Sequence, residues 1–322
     1  MKSEKVLLIG GSGFIGANIT RALLSKGYEV HIATRNRELN WKILPVQDQL
    51  TIHHLDILNL EKLASIVGEV KPDGIINASR QGGYNSNENI LETYVVNVSG
   101  TLNLLKASIK KVSWMIQISS SFEYGDKEGT VREIDSPEPI NDYGLSKLYA
   151  TNIFERVCGF HKIPGIALRV FQAYGPYEDN GRLLPYIMSS TISKKDILLK
   201  NPEVFRDFIY VDDVNNAVLK SIENMDHITD PQVINIGTGI ATSVREIAEQ
   251  AVKITNSNIK ISVSNEKDAR GESSMRSIVA DVTKAKEILG WNPETNLSLN
   301  LRKYYFWMKE NIRHYVNVGV VK

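Results

Sequence analysis

Along the first half of the chain, short apolar runs alternate with stretches in which apolar residues recur at helical spacing. Residues 6–9 form an apolar run that glycines follow at once, which is typical of a buried strand. The next stretch, 14–24, has helical periodicity. The alternation predicts further strands at 30–33, 52–55, 74–78 and 114–118, with helices over 60–70 and about 93–109. Strands joined by such helices form right-handed crossovers, so the pattern predicts an α/β fold with a doubly wound parallel sheet.

The alternation loosens in the second half of the chain, where several prolines interrupt it. The elements still predicted there are a strand–helix pair over 208–222, a strand at 233–236, a helix that begins at the cap residue Ser243, and a C-terminal helix over 297–314. We expect two domains. Residues 1–170 with about 207–240 would form the sheet domain, and about 171–206 with 241–322 a smaller C-terminal α/β lobe.

Composition and charge exclude several classes of partner. The 38 Lys and Arg residues nearly balance 37 Asp and Glu, so no basic excess exists for binding nucleic acid or an anionic membrane. The single cysteine, Cys158, cannot form an internal disulfide, and no Cys/His cluster predicts a metal site. No stretch approaches the roughly 20 apolar residues of a spanning helix. We therefore expect a cytoplasmic protein with no membrane or nucleic-acid partner.

The clearest local motif is GGSGFIG, residues 10–16, between the first predicted strand and the first predicted helix. Gly10 would allow the tight turn, Gly13 a close approach to a pyrophosphate, and Gly16 close packing of helix against strand. The N-terminus of the helix would offer N–H groups and a positive dipole end to phosphates. The motif predicts a dinucleotide site, and a glycine-rich turn without a ligand is the alternative.

The residues after the second strand bear on which dinucleotide binds. The chain has Arg35 and Arg37 there and no carboxylate for the adenosine ribose. Two guanidinium groups can bind a 2′-phosphate, so NADP is the expected cofactor and NAD the second choice. Solvated arginines with NAD held elsewhere remain the alternative. Asp56, after the third strand, is placed either to bond the adenine amino group or to cap a helix.

Tyr143 and Lys147 are four residues apart, which places a phenol and an ammonium on one face of a helix. A neighbouring ammonium favours the phenolate, which suits a group that transfers protons. Tyr305 and Lys309 have the same spacing near the C-terminus, so spacing alone identifies no site. Tyr143, however, follows a predicted strand that ends in three serines, residues 119–121, where a hydroxyl could bond the same substrate oxygen.

Together these motifs resemble the extended short-chain dehydrogenase/reductase family, in its branch of nucleotide-sugar epimerases, dehydratases and reductases. Further matches cover most of the chain: NVSGT around Asn97, LRVFQAYGP at 168–176, RDFIYVDDV at 206–214, INIGTG at 234–239 and ADVTKAKEILGW at 280–291. The resemblance implies a Rossmann-like domain that binds the dinucleotide, a lobe that binds a nucleoside-diphosphate sugar, and a homodimer formed through the helices near 93–109 and after Tyr143.

The resemblance also implies roles for single residues. Tyr143 would be the acid or base at the sugar oxygen, Lys147 would hold the nicotinamide ribose, and Ser120 would orient the carbonyl. Besides the glycine and arginine residues already named, the positions that match cofactor contacts are Phe14, Ile15, Asp56, Ile57, Ala78, Ser79, Arg80, Asn97 and Phe171. The positions expected to bind substrate are Ser121, Gln172, Arg206, Arg270 and Arg276. Arg206 would bind the diphosphate, and either Arg270 or Arg276 would be the second arginine that does so.

Positions at which the chain departs from the family pattern limit the reactions that we expect of it. The sugar dehydratases of the family place an Asp–Glu pair where this chain has Ser121 and Phe122, so dehydration is not expected. The main expectation is NADPH-dependent reduction of the 4-keto group of a nucleoside-diphosphate 4-keto-6-deoxyhexose, with Tyr143 as proton donor to O4. The alternatives are a nucleotide-sugar 4-epimerase with tightly held NAD, and a non-catalytic dinucleotide-sensing protein.

Overall fold

The computed structural model describes residues 4–35, 40–82, 89–264 and 277–315. Its strands in chain order are β1 (Lys5–Ile9), β2 (Glu29–Thr34), β3 (Thr51–His54), β4 (Gly74–Asn77), β5 (Trp114–Ser120), β6 (Gly129–Val131), β7 (Gly165–Val170), β8 (Gln172–Tyr174), β9 (Ile197–Leu199), β10 (Phe205–Tyr210), β11 (Gln232–Ile236), β12 (Ala241–Ser243), β13 (Ile261–Val263) and β14 (Ile278–Ala280). Within these ranges, seven strands form one parallel sheet in the order β3-β2-β1-β4-β5-β7-β11. This is the doubly wound, Rossmann-like arrangement that the alternating pattern predicts.

The helices connect and cover these strands. They are α1 (Phe14–Ser25), α2 (Leu60–Val70), α3 (Ile90–Tyr94), α4 (Gly100–Ser108), α5 (Asp142–His161), α6 (Leu183–Ser193), α7 (Val211–Glu223), α8 (Val244–Thr255), α9 (Thr283–Leu289) and α10 (Leu297–Asn311). Side-chain caps begin several of them: Ser243 accepts from the Glu246 amide at the start of α8, as predicted. The helix expected over 93–109 is interrupted by a π-helical turn, Val95–Ser99, which joins α3 to α4.

Two apolar cores cover the two faces of the central sheet because side chains alternate along each strand. In β1, Val6 and Leu8 join a core with α1, α7 and α9, whereas Leu7 and Ile9 join one with α2, α4 and α5. A third core lies in the C-terminal lobe, among α6, α8 and α10. Helix α9 belongs to the stretch assigned from sequence to the lobe, yet it packs on the central sheet.

Three smaller sheets lie outside the central one in the described ranges: β12-β10-β8, β13-β9 and β14-β6. Strand β10 pairs in parallel with β8, which directly follows β7 of the central sheet, and α7 returns from β10 to pack on that sheet. The small lobe is thus joined to the carboxyl ends of the central strands, where a doubly wound fold binds its ligands. None of the described helices combines the length and apolar character that crossing a membrane requires.

Candidate active site

The glycine loop lies between β1 and α1, as its position in the sequence predicts. Gly10 has φ of 77°, a left-handed conformation that favours glycine, and a side chain at Gly16 would clash with the carbonyl oxygen of Gly10. A Cβ at Gly10 would lie 2.8 Å from the carbonyl oxygen of Ala78. Only glycines therefore leave this cradle open, and α1 begins at Phe14 directly beside it. The cradle fits the diphosphate of a dinucleotide.

A cleft of about 340 Å³ extends from this loop across the carboxyl ends of the strands. It brings together most of the residues that the sequence proposed for the site. The proposed residues that line it are Gly10, Gly13, Phe14, Ile15, Gly16, Arg35, Ile57, Ala78, Ser79, Arg80, Ser120, Tyr143, Lys147, Phe171 and Gln172. Positions that are up to 162 residues apart in the chain, from Gly10 to Gln172, thus share one cleft.

Tyr143 and Lys147 lie in the first turns of α5, which Asn141 caps by accepting a hydrogen bond from the Gly144 amide at 2.8 Å. The Lys147 ammonium is buried and donates to the carbonyl oxygen of Ile118 at 2.7 Å, at the end of β5. Burial lowers the pKa of Lys147, and the neighbouring Tyr143 and Glu123 oppose that effect. The arrangement places a buried ammonium beside the phenol, as proton transfer requires.

Ser120 ends β5, and its Oγ accepts a hydrogen bond from the Phe122 amide at 3.3 Å. Phe122 also lines the cleft, and its ring meets that of Tyr143 edge-on, with centroids 5.8 Å apart. The second tyrosine–lysine pair, Tyr305 and Lys309, lies on α10, and neither of its residues lines the cleft. The structure therefore separates the two copies of the spacing as the sequence analysis does.

Arg35 lies just after β2 and lines the cleft, but its side chain is exposed. Its guanidinium lies 3.5 Å from a carboxylate oxygen of Glu92 and donates to the Gln81 side chain at 3.3 Å. Ser12 and Thr34 hydrogen-bond through their hydroxyls at 2.9 Å and also line this part of the cleft. Arg37 lies outside the described residues.

Asp56 and Asn97 do not line the cleft. Asp56 is exposed, and its side chain accepts a hydrogen bond from the Leu58 amide at 3.0 Å. Asn97 lies in the π-helical turn, where its side chain accepts from the Gln81 amide and donates to the Gln81 carbonyl, both at 2.9 Å. Asn97 thus fixes the loop after β4, whose neighbouring residues Ser79 and Arg80 do line the cleft.

Two of the substrate-binding predictions also lie away from this cleft. Ser121 is buried at the start of the 3₁₀ turn after β5, so its side chain does not share the position of Ser120. Arg206 lies on β10, where its guanidinium donates to the Phe205 carbonyl at 2.8 Å. Arg270 and Arg276 lie outside the described residues. Among the proposed diphosphate arginines, the one that the described ranges include, Arg206, does not line the cleft.

Asp179 and Arg182 line the cleft, although the sequence analysis missed both. Lys42 forms an ion pair with Asp179, and Arg80 lies 3.5 Å from the same carboxylate. Burial raises the pKa of Asp179, but Lys42, Arg80 and Arg182 together hold it below its ordinary value. No motif marks these residues, because the contacts join segments more than 90 positions apart.

The described residues contain no group of three or more His, Cys, Asp or Glu side chains that could hold a metal. The cleft instead combines a glycine cradle for a diphosphate with hydroxyl, phenol and ammonium groups. That combination defines a dinucleotide-dependent enzyme that moves protons at a substrate oxygen. Comparison with known proteins gives the class its name.

A family model described as NAD dependent epimerase/dehydratase family matches residues 6–237. The chain belongs to this family. A UDP-glucose 4-epimerase from Lactobacillus helveticus is 28% identical, over 97% of this chain and 99% of that protein. A dTDP-6-deoxy-L-talose 4-dehydrogenase (NAD(P)(+)) from Kitasatospora kifunensis is 26% identical, over 94% of both. The crystal structure of UDP-glucuronic acid 4-epimerase from Bacillus cereus, in complex with UDP-glucuronic acid and NAD, has a TM-score of 0.84 at 26% identity and covers 95% of this chain and 99% of that one. The protein is therefore an NAD(P)-dependent enzyme of the nucleotide-sugar class.

Proposed function

We propose that the protein is a 4-epimerase of nucleoside-diphosphate sugars that uses NAD. The observation that carries the proposal is that Ser120, Tyr143 and Lys147 line the same cleft as the glycine loop. The relatives named as 4-epimerases, one of them solved with NAD, favour epimerisation over the reduction expected from sequence. In this proposal, the sheet domain (1–170 with about 207–240) holds the dinucleotide and the lobe (about 171–206 with 241–322) holds the nucleotide sugar.

The residues of the cleft supply the proton chemistry at C4. The dinucleotide, when bound, supplies a reversible hydride acceptor. The phenol oxygen of Tyr143 takes the proton of the sugar O4 hydroxyl during oxidation and returns it during reduction. Ser120 Oγ hydrogen-bonds the same oxygen and polarises the ketone. Lys147 remains beside Tyr143 and stabilises its ionised form.

Reduction of a 4-keto sugar is the second candidate function. It is favoured by one position: Arg35 lines the cleft after β2, where the chain has no carboxylate for an NAD ribose. The relative named as a 4-dehydrogenase also acts with NAD(P)(+). The same three residues would serve this reaction, with Tyr143 giving a proton to O4 once per turnover and the oxidised dinucleotide leaving afterwards.

The two functions differ in their need for added cofactor. We expect the purified protein to release NAD on denaturation and to convert UDP-glucose or UDP-glucuronic acid to its C4 epimer without added dinucleotide, as followed by NMR. Tyr143→Phe should lower kcat by about 10²- to 10⁴-fold. Tyr305→Phe, which removes the phenol from the second copy of the spacing, is the matched control and should leave kcat unchanged.

Other results assign other functions. Stoichiometric oxidation of NADPH by a nucleoside-diphosphate 4-keto-6-deoxyhexose, with no epimer formed from UDP-sugars, would replace the epimerase with the reductase. Binding of dinucleotide without turnover of any of these sugars, in both wild type and Tyr143→Phe, would leave only a dinucleotide-sensing protein.

We also propose that the protein forms a homodimer through α3, α4 and α5. Exposed apolar side chains lie along these helices: Leu91, Val95, Leu102 and Tyr149. Leu105, on the inner side of α4, packs in the core beneath this face. Light scattering during gel filtration should give twice the chain mass, and Leu102→Glu should give the single chain mass. A monomeric wild type would contradict the proposal.

A further inference from the structure

A network of buried, hydrogen-bonded side chains lies next to the proposed catalytic residues. None of these side chains has a role in the reaction proposed above. Its centre is Glu123, in the 3₁₀ turn that follows β5, with 0% of its surface exposed. One carboxylate oxygen accepts hydrogen bonds from the hydroxyls of Ser119 and Thr151, the latter at 2.8 Å. The other oxygen accepts from Arg169 Nε at 2.8 Å.

The network continues from Arg169 to β11, the strand at the edge of the central sheet. Arg169 donates to the Tyr124 hydroxyl at 3.1 Å, and that hydroxyl donates to the side-chain oxygen of Asn235 at 2.8 Å. Ser119 is on β5, Thr151 on α5, Arg169 on β7 and Asn235 on β11. The Glu123 carboxylate therefore ties two strands of the central sheet to the helix that carries Tyr143, and the network reaches a third strand through Arg169 and Tyr124.

The two hydroxyls bound by Glu123 lie beside the catalytic groups in the chain. Ser119 precedes Ser120 on β5. Thr151 follows Lys147 by four residues and Tyr143 by eight, so the three share one face of α5. The two hydroxyls lie 2.7 Å apart, and Glu123 accepts from both at one oxygen. This three-membered contact fixes the separation between the strand that presents Ser120 and the helix face that presents Tyr143 and Lys147.

We propose that Glu123 is a positioning residue of the reaction, which holds Ser120 and the Tyr143–Lys147 pair at the separation that proton transfer at O4 requires. The inference rests on the proposed function, because it assigns Glu123 to that active site. A loss of this tether costs rate rather than binding, since small misplacements of reacting groups lower catalysis steeply.

The charge of Glu123 adds a second, measurable consequence. Lys147 is buried, which lowers its pKa, and Tyr143 and Glu123 raise it again, whereas Arg80 lowers it further. Arg169 shares the carboxylate, and the charged side chains of Glu133, Glu155 and Lys284 also interact with this group of residues. Removing the negative charge of Glu123 should therefore lower the pKa of Lys147.

Glu123→Gln is the primary variant, because it removes the charge and one of the two acceptor oxygens. If its remaining oxygen stays with Ser119 and Thr151, its NH2 group faces Arg169 and that hydrogen bond is lost. We expect kcat to fall about 10- to 100-fold while KM for the sugar nucleotide changes less than about threefold. The alkaline limb of the pH profile of kcat should move to lower pH, because Lys147 loses its proton earlier. Glu138→Gln is the matched control: Glu138 pairs with Lys127 at the surface, and its loss should change neither quantity.

A second pair of variants keeps the test decisive if Glu123→Gln does not fold. Thr151→Val leaves the Glu123–Arg169 pair intact and removes the donor from α5, and it should lower kcat several-fold. Thr151→Ser keeps the donor, so its kcat should return to the value of wild type. The proposal would be overturned if Glu123→Gln lost stability but kept the kcat and the pH profile of wild type. Equal kcat values for Thr151→Val and Thr151→Ser would also overturn it.

A readout without turnover separates this inference from the proposed function. The titration of the Lys147 ammonium can be followed by 15N NMR, with its signal assigned by Lys147→Arg. If wild type turns over no sugar, the proposed function fails. A lower midpoint for Lys147 in Glu123→Gln would still support the link between the two residues, and an identical midpoint would overturn it.

Discussion

Two glutamates of this protein are buried to nearly the same degree in very different surroundings. Glu123, next to the cleft, has 0% exposure and accepts hydrogen bonds from Ser119, Thr151 and Arg169. Glu178, in the loop after β8, has 2% exposure, and one of its carboxylate oxygens has no hydrogen-bond partner within the described part of the chain. Burial raises the pKa of Glu178 to about 8, although Arg182 opposes the effect.

The phenols beside the two glutamates differ in the same way. The Tyr124 hydroxyl has Arg169 and Asn235 as partners, whereas the Tyr304 hydroxyl, close to Glu178, has none among the described residues. Burial lowers the pKa of Arg169, but Glu123 and Tyr124 raise it above its ordinary value, so Arg169 stays charged. Glu178 instead holds its proton near neutral pH.

The difference shows what partners do for a buried carboxylate. A charge removed from water is costly unless hydrogen bonds and an opposite charge replace the solvent. Beside the cleft these partners come from three secondary structure elements, and the result is a fixed geometry. In the loop after β8, one oxygen of the buried carboxylate has no partner among the described residues, and the result is a stability that depends on pH. Substitutions can test each half of this comparison.

Arg169→Met should have the largest effect, because it leaves the Glu123 carboxylate buried without its cation. We expect the free energy of unfolding to fall by roughly 3–5 kcal/mol, as urea denaturation would measure. Arg132→Met is the matched control, since Arg132 pairs with Asp135 at the surface and the pair is worth less than about 1 kcal/mol. Equal losses in the two variants would contradict the distinction between the sites.

Glu178→Gln should stabilise the protein, and the gain should grow as the pH rises above 4.5 and level off above about 8. Below pH 4.5 the carboxyl is protonated in both the folded and the unfolded chain, so it makes no pH-dependent difference. Between pH 4.5 and about 8 the unfolded chain ionises while the folded protein keeps the proton, so the stability of wild type falls as the pH rises. At about 1.4 kcal/mol per pKa unit, the variant should gain a few kcal/mol by pH 9.

Thermal unfolding of wild type and Glu178→Gln at pH 5, 7 and 9 measures this effect. The difference in melting temperature should grow with pH and level off above about 8. A difference that stays constant across this range would show that Glu178 is ionised in the folded protein at neutral pH, in which case the two glutamates would not differ as described.

Sequence patterns predicted the central sheet and the glycine cradle because both depend on local signals. Apolar runs followed by glycine marked β1, and the extended Gly13 before Phe14 places α1 where the motif predicts it. The Tyr143–Lys147 pair was found for the same reason, since its spacing lies within one helix. The spacing alone did not identify the pair as part of a site, however, and a second feature, the serines that end β5, was needed for that.

Contacts between distant segments left no such signal. Asp179 meets Lys42 across 137 positions and Arg80 across 99, so no local pattern shows that their charges converge at the cleft. Glu123 lies four residues from Ser119, but its pairing with Arg169 depends on the adjacency of β5 and β7 in the sheet. The sequence also assigned Ser121 and Arg206 to the substrate site from matching position alone, and neither lines the cleft.

Removing one hydroxyl from each region should have the smallest effect, and the two changes should differ in sign. Tyr124→Phe removes one hydrogen-bond partner from Arg169 and one from Asn235, and should cost about 1–3 kcal/mol. Tyr304→Phe removes a buried hydroxyl that has no partner among the described residues, and should be neutral or stabilising by up to about 1 kcal/mol. Both variants lose the same hydroxyl. A difference between their free energies of unfolding, measured by urea denaturation, therefore reports the different surroundings of the two phenols. A loss for Tyr304→Phe as large as that for Tyr124→Phe would mean that a buried water bonds Tyr304, and the lobe would then satisfy its polar groups as fully as the network beside the cleft does.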